Sequence, residues 1–315
     1  MMKKLVALSV ILWLSLVLPS HAADLPEKIP DGLYEEFYAT GELKRLLTYK
    51  SGKPNGPFNI YFKNGKLQGE GLYLEGVMQG IARGYYADGS PKIEAVYEGG
   101  QLNGLIRTFS PEGKIVSEAN YKKGKLHGLV VEYQPNGLPL FSRSYKEGLE
   151  QGAARQYSPT GVVIREAEYL NGIQKGLVRE FDIEGNLIKS YEAYDGVADG
   201  EFKNFYPTGE VKSEMVLTEG EMVNTQCIEY YPSGSLKQKY NVFRGRREGL
   251  YQEFHENGNL KTAGQFMNNQ REGLFKFYNA DGNMLSEVDY RQGDKRLTKV
   301  YNEAGLLIEE VKEKK

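Results

Sequence analysis

Apolar and aromatic residues recur along this chain at an interval of 24 residues, between glycine-centred turns. The segment from Gly128 to Gly152 shows the pattern: Gly at position 1, an aromatic residue at 6, Gly at 10, an aliphatic residue at 12, usually Tyr at 18, and Gly at 21. First positions fall at Gly32, Gly56, Gly80, Gly104, Gly128, Gly152, Gly176, Gly200, Thr225, Gly249, Gly273 and Arg296. Such a period is typical of repeat architectures, so the sequence predicts about eleven 24-residue units and a final half.

Each repeat predicts a β-hairpin, because short alternating apolar runs are bounded by Gly-containing turns. Where position 8 is Pro, as at Pro135 before Gly137, we expect a type I turn followed by a left-handed Gly. This loop pairs position 6 with position 12, for example Phe37 with Leu43. A second turn surrounds position 21, where Asn269 replaces the usual Gly and also tolerates left-handed backbone.

The alternation of side chains along a strand predicts which positions share a face. Positions 2, 6, 12, 16 and 18 are expected on one apolar face, and an even period keeps that face from one unit to the next. Apolar residues at position 3, such as Phe58 and Val130, would then point to the opposite face. Either the sheet curls so that both faces are partly covered, or one apolar stripe is left for a partner.

The N-terminal segment predicts export. Lys3 and Lys4 precede an apolar run from Leu5 to Leu18 and a Ser20-His21-Ala22 sequence that is typical of signal-peptide cleavage. A run of 14 residues is short for a membrane span, although an uncleaved anchor is the alternative. We predict a signal peptide at 1–22, a linker at 23–31, the repeat array at 32–308 and a charged C-terminal tail at 309–315. The mature chain is expected to be soluble, in the periplasm or secreted.

Charge disfavours a nucleic-acid partner. The whole chain carries 40 basic and 42 acidic side chains, and removal of 1–22 takes away two lysines, which leaves a formal charge of −4. Nucleic-acid-binding proteins usually carry a basic excess or a basic face. The single cysteine, Cys227, excludes an intramolecular disulfide.

Candidate reactive side chains are few. His127 and His255 lie beside turns about five repeats apart, so we interpret them as solvent-facing turn residues that cannot share a metal ion. Cys227 stands where other repeats have Phe, Ile or Val, which favours a small apolar residue over a reactive thiol. The sequence therefore predicts no enzyme, and no catalytic, cofactor-binding or metal-binding residue.

The densest basic cluster is Arg244-Gly245-Arg246-Arg247. Three solvated arginines in a turn are the favoured interpretation. The alternative is that these arginines bind an anionic lipid headgroup, which would give peripheral membrane contact.

The elements G-x-L-x-x-x-x-x-Y-x-x-G and Y-P-x-G-x-L resemble MORN-variant repeats, the kind found in YwqK-type antitoxins. The resemblance covers roughly residues 32 to 310. It implies an all-β fold of antiparallel hairpins laid side by side in an elongated, twisted sheet, a β-meander or solenoid-like array. It also implies an interaction scaffold without catalysis, and it brings no catalytic or ligand-binding residues.

Two main functional hypotheses follow. The favoured one is an exported, non-enzymatic repeat scaffold that binds a protein or cell-envelope partner through its extended sheet surface. The alternative is an antitoxin or immunity-type protein that neutralises a toxin by direct binding. An enzyme acting on envelope carbohydrate would need paired carboxylates, which the pattern does not provide.

Overall fold

The computed structural model describes residues 29–313, and all regular secondary structure in this range is β-strand. The chain divides into two compact units between Gly161 and Val162. The predicted signal peptide at 1–22 and most of the predicted linker lie outside the described residues. Within 29–313 there is no helix with the length and apolarity of a membrane span.

The first unit contains, among its described residues, the strands β1 (Gly32–Phe37), β2 (Leu43–Lys50), β3 (Lys53–Tyr61), β4 (Leu67–Leu74), β5 (Val77–Met78), β6 (Gly80–Tyr85), β7 (Pro91–Glu98), β8 (Gln101–Leu102), β9 (Gly104–Phe109), β10 (Ile115–Lys122), β11 (Lys125–Tyr133), β12 (Pro139–Lys146) and β13 (Leu149–Tyr157).

The second unit contains, in the part that the structure describes, the strands β14 (Val163–Leu170), β15 (Ile173–Phe181), β16 (Leu187–Tyr194), β17 (Val197–Phe205), β18 (Val211–Leu217), β19 (Asn224–Tyr230), β20 (Leu236–Phe243), β21 (Arg246–Phe254), β22 (Leu260–Met267), β23 (Gln270–Tyr278), β24 (Met284–Arg291), β25 (Asp294–Tyr301) and β26 (Leu307–Lys312).

The strands of each unit pair antiparallel in chain order, with β4 pairing with both β5 and β6 and β7 with both β8 and β9, which confirms the predicted hairpin array. Phe37 lies opposite Leu43, as the three-residue loop predicts. At the corresponding loop of β11 and β12, Gly137 has a φ of 85°. Its N–H donates a hydrogen bond of 2.8 Å to the carbonyl of Gln134. The turn is therefore closed by backbone hydrogen bonding, with glycine in the left-handed region that other residues seldom adopt.

The second turn has positive φ at two successive residues, the feature that defines a type I′ hairpin turn. The residue at position 21, which is Gly or, in one repeat, Asn269, is preceded by a residue with a φ between 49° and 55°. These preceding residues are Ser51, Glu75, Gly99, Lys123, Glu147, Asn171, Asp195, Glu219, Arg244, Asn268 and Gln292. A non-glycine residue is strained in this region, so the tight two-residue turn is maintained against the preference of most of these side chains.

A side-chain acceptor at position 24 supports this turn. Asn103 Oδ1 accepts a hydrogen bond of 3.2 Å from the backbone N–H of Lys123, twenty residues later. In the same way, Asn55 Oδ1 accepts a hydrogen bond of 3.0 Å from the backbone N–H of Glu75. Each such bond ties a strand to the turn of the next hairpin, so adjacent repeats are linked outside the strand ladders.

Two bulges set the faces of the regular repeats. Glu36 lies opposite Arg45 while Phe37 lies opposite Leu43, which leaves position 13 unpaired. The segment formed by positions 24, 1 and 2 bulges opposite position 17. As a result, positions 3, 5, 14, 16, 18 and 23 share one face, here called face A. Positions 2, 4, 6, 12, 15, 17, 19 and 22 share the other, face B.

The prediction that positions 2, 6, 12, 16 and 18 share one face is therefore wrong. Cross-strand partners share a face, and Leu47 at position 16 lies opposite Phe58 at position 3. The unpaired residue at position 13 shifts the alternation by one, because a bulge inserts one extra residue into one strand. Positions 16 and 18 thus lie on the same face as position 3.

The two irregular repeats keep these faces although their spacing is odd. Thr225 starts one residue late, yet Cys227 at position 3 remains on face A and is only 2% exposed. Arg296 starts one residue early, and the shorter bulge before it still pairs Val288 on face A with Thr298. An even period is thus not what preserves the faces, since the segment between the second turn and position 3 absorbs one-residue changes.

Face A forms the core of each unit. The first unit has one cluster around Phe58, Tyr97 and Ile106, and the second has clusters around Val178 and around Phe275. Rings on this face lie across small residues of neighbouring strands, and a Cβ on Gly264 would lie 2.6 Å from the ring of Phe275. Burying one such side chain contributes roughly 1.5–3 kcal/mol, so stability rests on face A.

The last strand extends beyond the predicted end of the array at residue 308. In β26, Val311 lies opposite Thr298 of β25. Residues 309–312, assigned from the sequence to a charged tail, are therefore part of a paired strand.

Candidate interaction surface

Face B is the more exposed face of both units and is arranged in three rows. Nearest the first turns, the aromatic residues of position 6 lie opposite the aliphatic residues of position 12. A charged row at positions 4 and 15 follows. Nearest the second turns lies a row at positions 2, 17, 19 and 22, which contains many of the exposed large apolar residues.

The charged row alternates acid and base across five strands of the first unit. Glu70, Arg83, Glu94, Arg107 and Glu118 lie opposite one another in sequence from β4 to β10. The Arg83 Nε to Glu94 Oε2 distance is 2.9 Å, and the Arg107 Nε to Glu118 Oε1 distance is 2.8 Å. Partly exposed ion pairs contribute little individually, so this row mainly fixes which charges the surface presents.

Tyrosines of position 6 donate hydrogen bonds to the acids of this row. The Tyr133 hydroxyl donates to Glu118 at 2.8 Å, and the Tyr230 hydroxyl donates to Glu214 at 2.6 Å. Burial together with the Glu118 carboxylate raises the pKa of Tyr133 to about 12. The hydrogen bond from Arg107, followed by that from Tyr133, lowers the pKa of the Glu118 carboxyl group. These tyrosines therefore act as neutral hydrogen-bond donors near pH 7.

The apolar row beside the second turns is open to solvent. Leu74 lies opposite Val77 in the first unit, with 54% and 44% of these residues exposed. In the second unit, Tyr194 lies opposite Val197, with 54% and 45% exposed. Exposed apolar patches that are contiguous and bordered by polar residues mark interaction sites.

The two histidines occupy partly buried positions, which corrects their interpretation as solvent-facing turn residues. His127 lies within β11, with its Nδ1 atom 3.7 Å from Glu147 Oε1. His255 lies in a turn, but its Nε2 atom is 2.9 Å from the carbonyl oxygen of Tyr278. Because a carbonyl only accepts, Nε2 must carry the proton, and the ring fastens one repeat to the next.

The Arg244–Arg247 segment does not form one basic patch. Arg246 lies opposite Phe243 on face B, whereas Arg247 lies opposite Val242 on face A. The guanidinium carbon of Arg247 is 4.4 Å from the ring centroid of Tyr240, a cation–π geometry. The arginines are thus divided between the two faces of the sheet.

Cys227 is buried on face A opposite Tyr240. Burial raises the pKa of its thiol, which keeps the sulfur protonated and unreactive near neutral pH. Within residues 29–313, no group of three or more His, Cys, Asp or Glu side chains is placed to hold a metal ion.

The charged row was missed from the sequence. Its signal is the recurrence of Arg or Lys at position 4 with Glu at position 15, as in Arg83 with Glu94 and Lys276 with Glu287. This signal becomes readable only when the bulge at position 13 is included, because the bulge is what places position 4 opposite position 15.

A family model described as MORN repeat variant matches seven segments, namely residues 30–51, 54–75, 102–123, 150–171, 198–217, 247–268 and 271–292. The chain is a MORN-variant repeat protein. The match concerns the repeat and does not extend to YwqK-type antitoxins. Among curated proteins, none matches the sequence.

Two solved toxin structures contain regions similar to this MORN-variant chain. One is the Photorhabdus luminescens Tc holotoxin pore with a mutation in TccC3, at 15% identity and a TM-score of 0.19, covering 89% of this chain and 18% of that chain. The other is a TcdB2-TccC3-Cdc42 crystal structure, at 14% identity and a TM-score of 0.16, with the same coverage of 89% and 18%. The chain thus spans under a fifth of the length of these structures. A likeness at this TM-score carries no functional argument.

Proposed function

We propose that this MORN-variant chain is an exported, non-enzymatic scaffold that binds a protein or cell-envelope partner through face B. The observation that carries the proposal is the apolar row beside the second turns, where Leu74, Val77, Tyr194 and Val197 are each about half exposed. The core does not need these side chains, because the buried apolar residues lie on face A. Repeat arrays commonly bind partners through such extended surfaces.

The binding part is tested by photo-crosslinking in cells. A photoreactive amino acid replaces Val197 on face B or, as a control, Asn186, which is exposed in the first turn between β15 and β16. We expect a discrete crosslinked partner from position 197 and none from position 186. A toxin as this partner would establish the antitoxin alternative. The scaffold proposal fails if neither this site nor Val77 on face B yields a crosslink.

The export part rests on Lys3, Lys4 and the apolar run that follows them. N-terminal sequencing of the protein purified from the cell envelope or the medium should give Ala23 or Asp24 as the first residue. An intact Met1 on a protein found in the cytoplasm would contradict export and would leave the binding proposal standing.

A further inference from the structure

The second unit carries a row of exposed apolar residues on face B that extends over three successive repeats. Leu170 lies opposite Ile173, and Tyr194 lies opposite Val197. Val216 continues this row on β18. These five residues are 46%, 40%, 54%, 45% and 51% exposed, respectively. They are called the β14–β18 patch.

Acidic side chains border this patch on the same face. Glu168 lies two residues before Leu170 on β14, and Glu192 lies two residues before Tyr194 on β16. Glu201 lies opposite Val216. Glu201 is neutralised in part by Lys203, with 3.0 Å between Oε2 and Nζ. Glu168 and Glu192 are exposed and form no ion pair with the described residues of their unit. The border therefore presents unneutralised carboxylates.

The charge of this part of the chain differs from that of the rest. Residues 165–221 contain thirteen acidic and six basic side chains, a formal charge of −7, whereas the whole chain carries −2. The remainder of the chain therefore sums to +5. An exposed apolar surface in a region of negative charge attracts cationic partners and repels anionic ones.

One contact within the unit shows how a cation approaches this patch. The Lys175 ammonium lies 5.8 Å from the ring centroid of Tyr194, within cation–π range. Lys175 and Tyr194 are cross-strand partners on face B. The aromatic ring of the patch is thus already in contact with a lysine of its own chain.

We propose that the β14–β18 patch binds a basic, amphipathic segment of the partner protein. The apolar side of that segment would cover Leu170, Ile173, Tyr194, Val197 and Val216, while its lysines and arginines would face Glu168 and Glu192. The proposal rests on the proposed scaffold function and names the chemistry of the partner. In the first unit, position 17 holds Leu72 and Val96 where this patch has Glu168 and Glu192, so the same preference is not expected there.

The test uses the mature protein and a fluorescent helix-forming peptide with Leu at i, i+3, i+4 and i+7 and Lys elsewhere. We expect saturable binding by fluorescence anisotropy, weakened by added salt, and no binding of a Leu/Glu counterpart. The variant E168K/E192K should bind the Leu/Lys peptide about tenfold more weakly or worse. The matched variant E184K/E256K, which makes the same change of charge at exposed first-turn residues, should retain wild-type affinity. Circular dichroism checks that both variants fold.

Four results would overturn the proposal, and the first is that the wild-type protein fails to bind the Leu/Lys peptide. Unchanged affinity of E168K/E192K would show that these acids do not select the partner. Equal binding of polylysine, which has no apolar side, would show that the apolar patch is not used. Self-association of the wild-type protein that E168K/E192K abolishes in sedimentation velocity would identify a second copy as the occupant. If the Val197 crosslink persists while the peptide fails to bind, only the partner class is wrong; if the crosslink also fails, the scaffold function is wrong.

Discussion

At residue 137 the backbone, and not the surrounding side chains, requires glycine. Gly137 has a φ of 85°, and a Cβ built there would have nothing within 4 Å. Gly137→Val should therefore destabilise the protein through backbone strain alone, by about 1–2 kcal/mol. Gly137→Asn should cost less, because Asn tolerates the left-handed region. Thermal denaturation of the two variants measures the difference, and equal melting temperatures would contradict this explanation.

At Gly264 the neighbouring side chain, and not the backbone conformation, requires glycine. Its backbone is ordinary strand, but a Cβ would lie 2.6 Å from the ring of Phe275. Gly264→Ala should destabilise the protein by about 1–3 kcal/mol through overpacking. Combining it with Phe275→Leu should cost less than the sum of the two single changes, because the smaller side chain makes room for the methyl group. Urea denaturation gives the coupling, and strict additivity would show that the two residues do not compete for space.

At the scale of the turn, Lys123 has a φ of 50° and directly precedes Gly124. Asn-Gly is the preferred pair for a type I′ turn, so Lys123→Asn should stabilise the protein, by up to about 1 kcal/mol. The hydrogen bond from its N–H to Asn103 is a backbone contact and is kept. Lys125→Asn, outside the turn, is the control and should not stabilise. Chemical denaturation compares the two, and a loss of stability in Lys123→Asn would refute the strain argument.

At the scale of the charged row, Arg107 lowers the pKa of Glu118. A carboxyl group whose pKa is lowered by folding stabilises the folded state above its unfolded pKa of about 4.3, and this contribution is lost as pH falls through the folded pKa. Arg107→Gln should therefore be less stable than wild type at pH 7, and the gap should narrow below pH 4. Urea titrations at both pH values test this. A gap that is constant with pH would mean that packing of the arginine stem, and not its charge, is responsible.

The sequence was sufficient for the strands and turns but not for the faces. The aromatic residue at position 6 and the glycine at position 10 located the first hairpin loop, because each residue type has a direct backbone consequence. The bulges left no comparable signal: position 13 is Lys44 in one repeat and Val116 in another. One unpaired residue separated Tyr73 and Tyr97 from positions 2, 6 and 12, with which the alternation had grouped them, and placed both rings in the core. For the same reason, the sequence alone left open which face is available to a partner.

At the scale of the whole molecule, the strand pairings, the side-chain acceptors at position 24 and the bulges recur at equivalent positions. One repeat should therefore be removable. Deleting Gly80 to Asn103 joins position 24 of one repeat to position 1 of another. We expect this variant to fold with a β-sheet circular dichroism spectrum and a cooperative melt, since repeat stability is carried by nearest neighbours.

The control deletion removes half a repeat, Gly80 to Pro91, and so eliminates one strand and one turn. The second turn would then lead directly into a strand that lacks the bulge segment and the left-handed glycine at position 1. This variant should aggregate or melt at a much lower temperature. Indistinguishable melting curves for the two deletions would show that the 24-residue repeat is not the structural unit.

The tolerance of the bulge segment has a genetic consequence. Recombination between two repeats of the gene adds or removes 24 codons and always joins equivalent positions, so the encoded turns, core face and surface rows stay in phase. A single-codon insertion or loss is also accommodated when it falls between the second turn and position 3, as the spacing before Thr225 and Arg296 illustrates. Alleles of such a gene can therefore add or remove the face-B residues of a whole repeat in one mutational event.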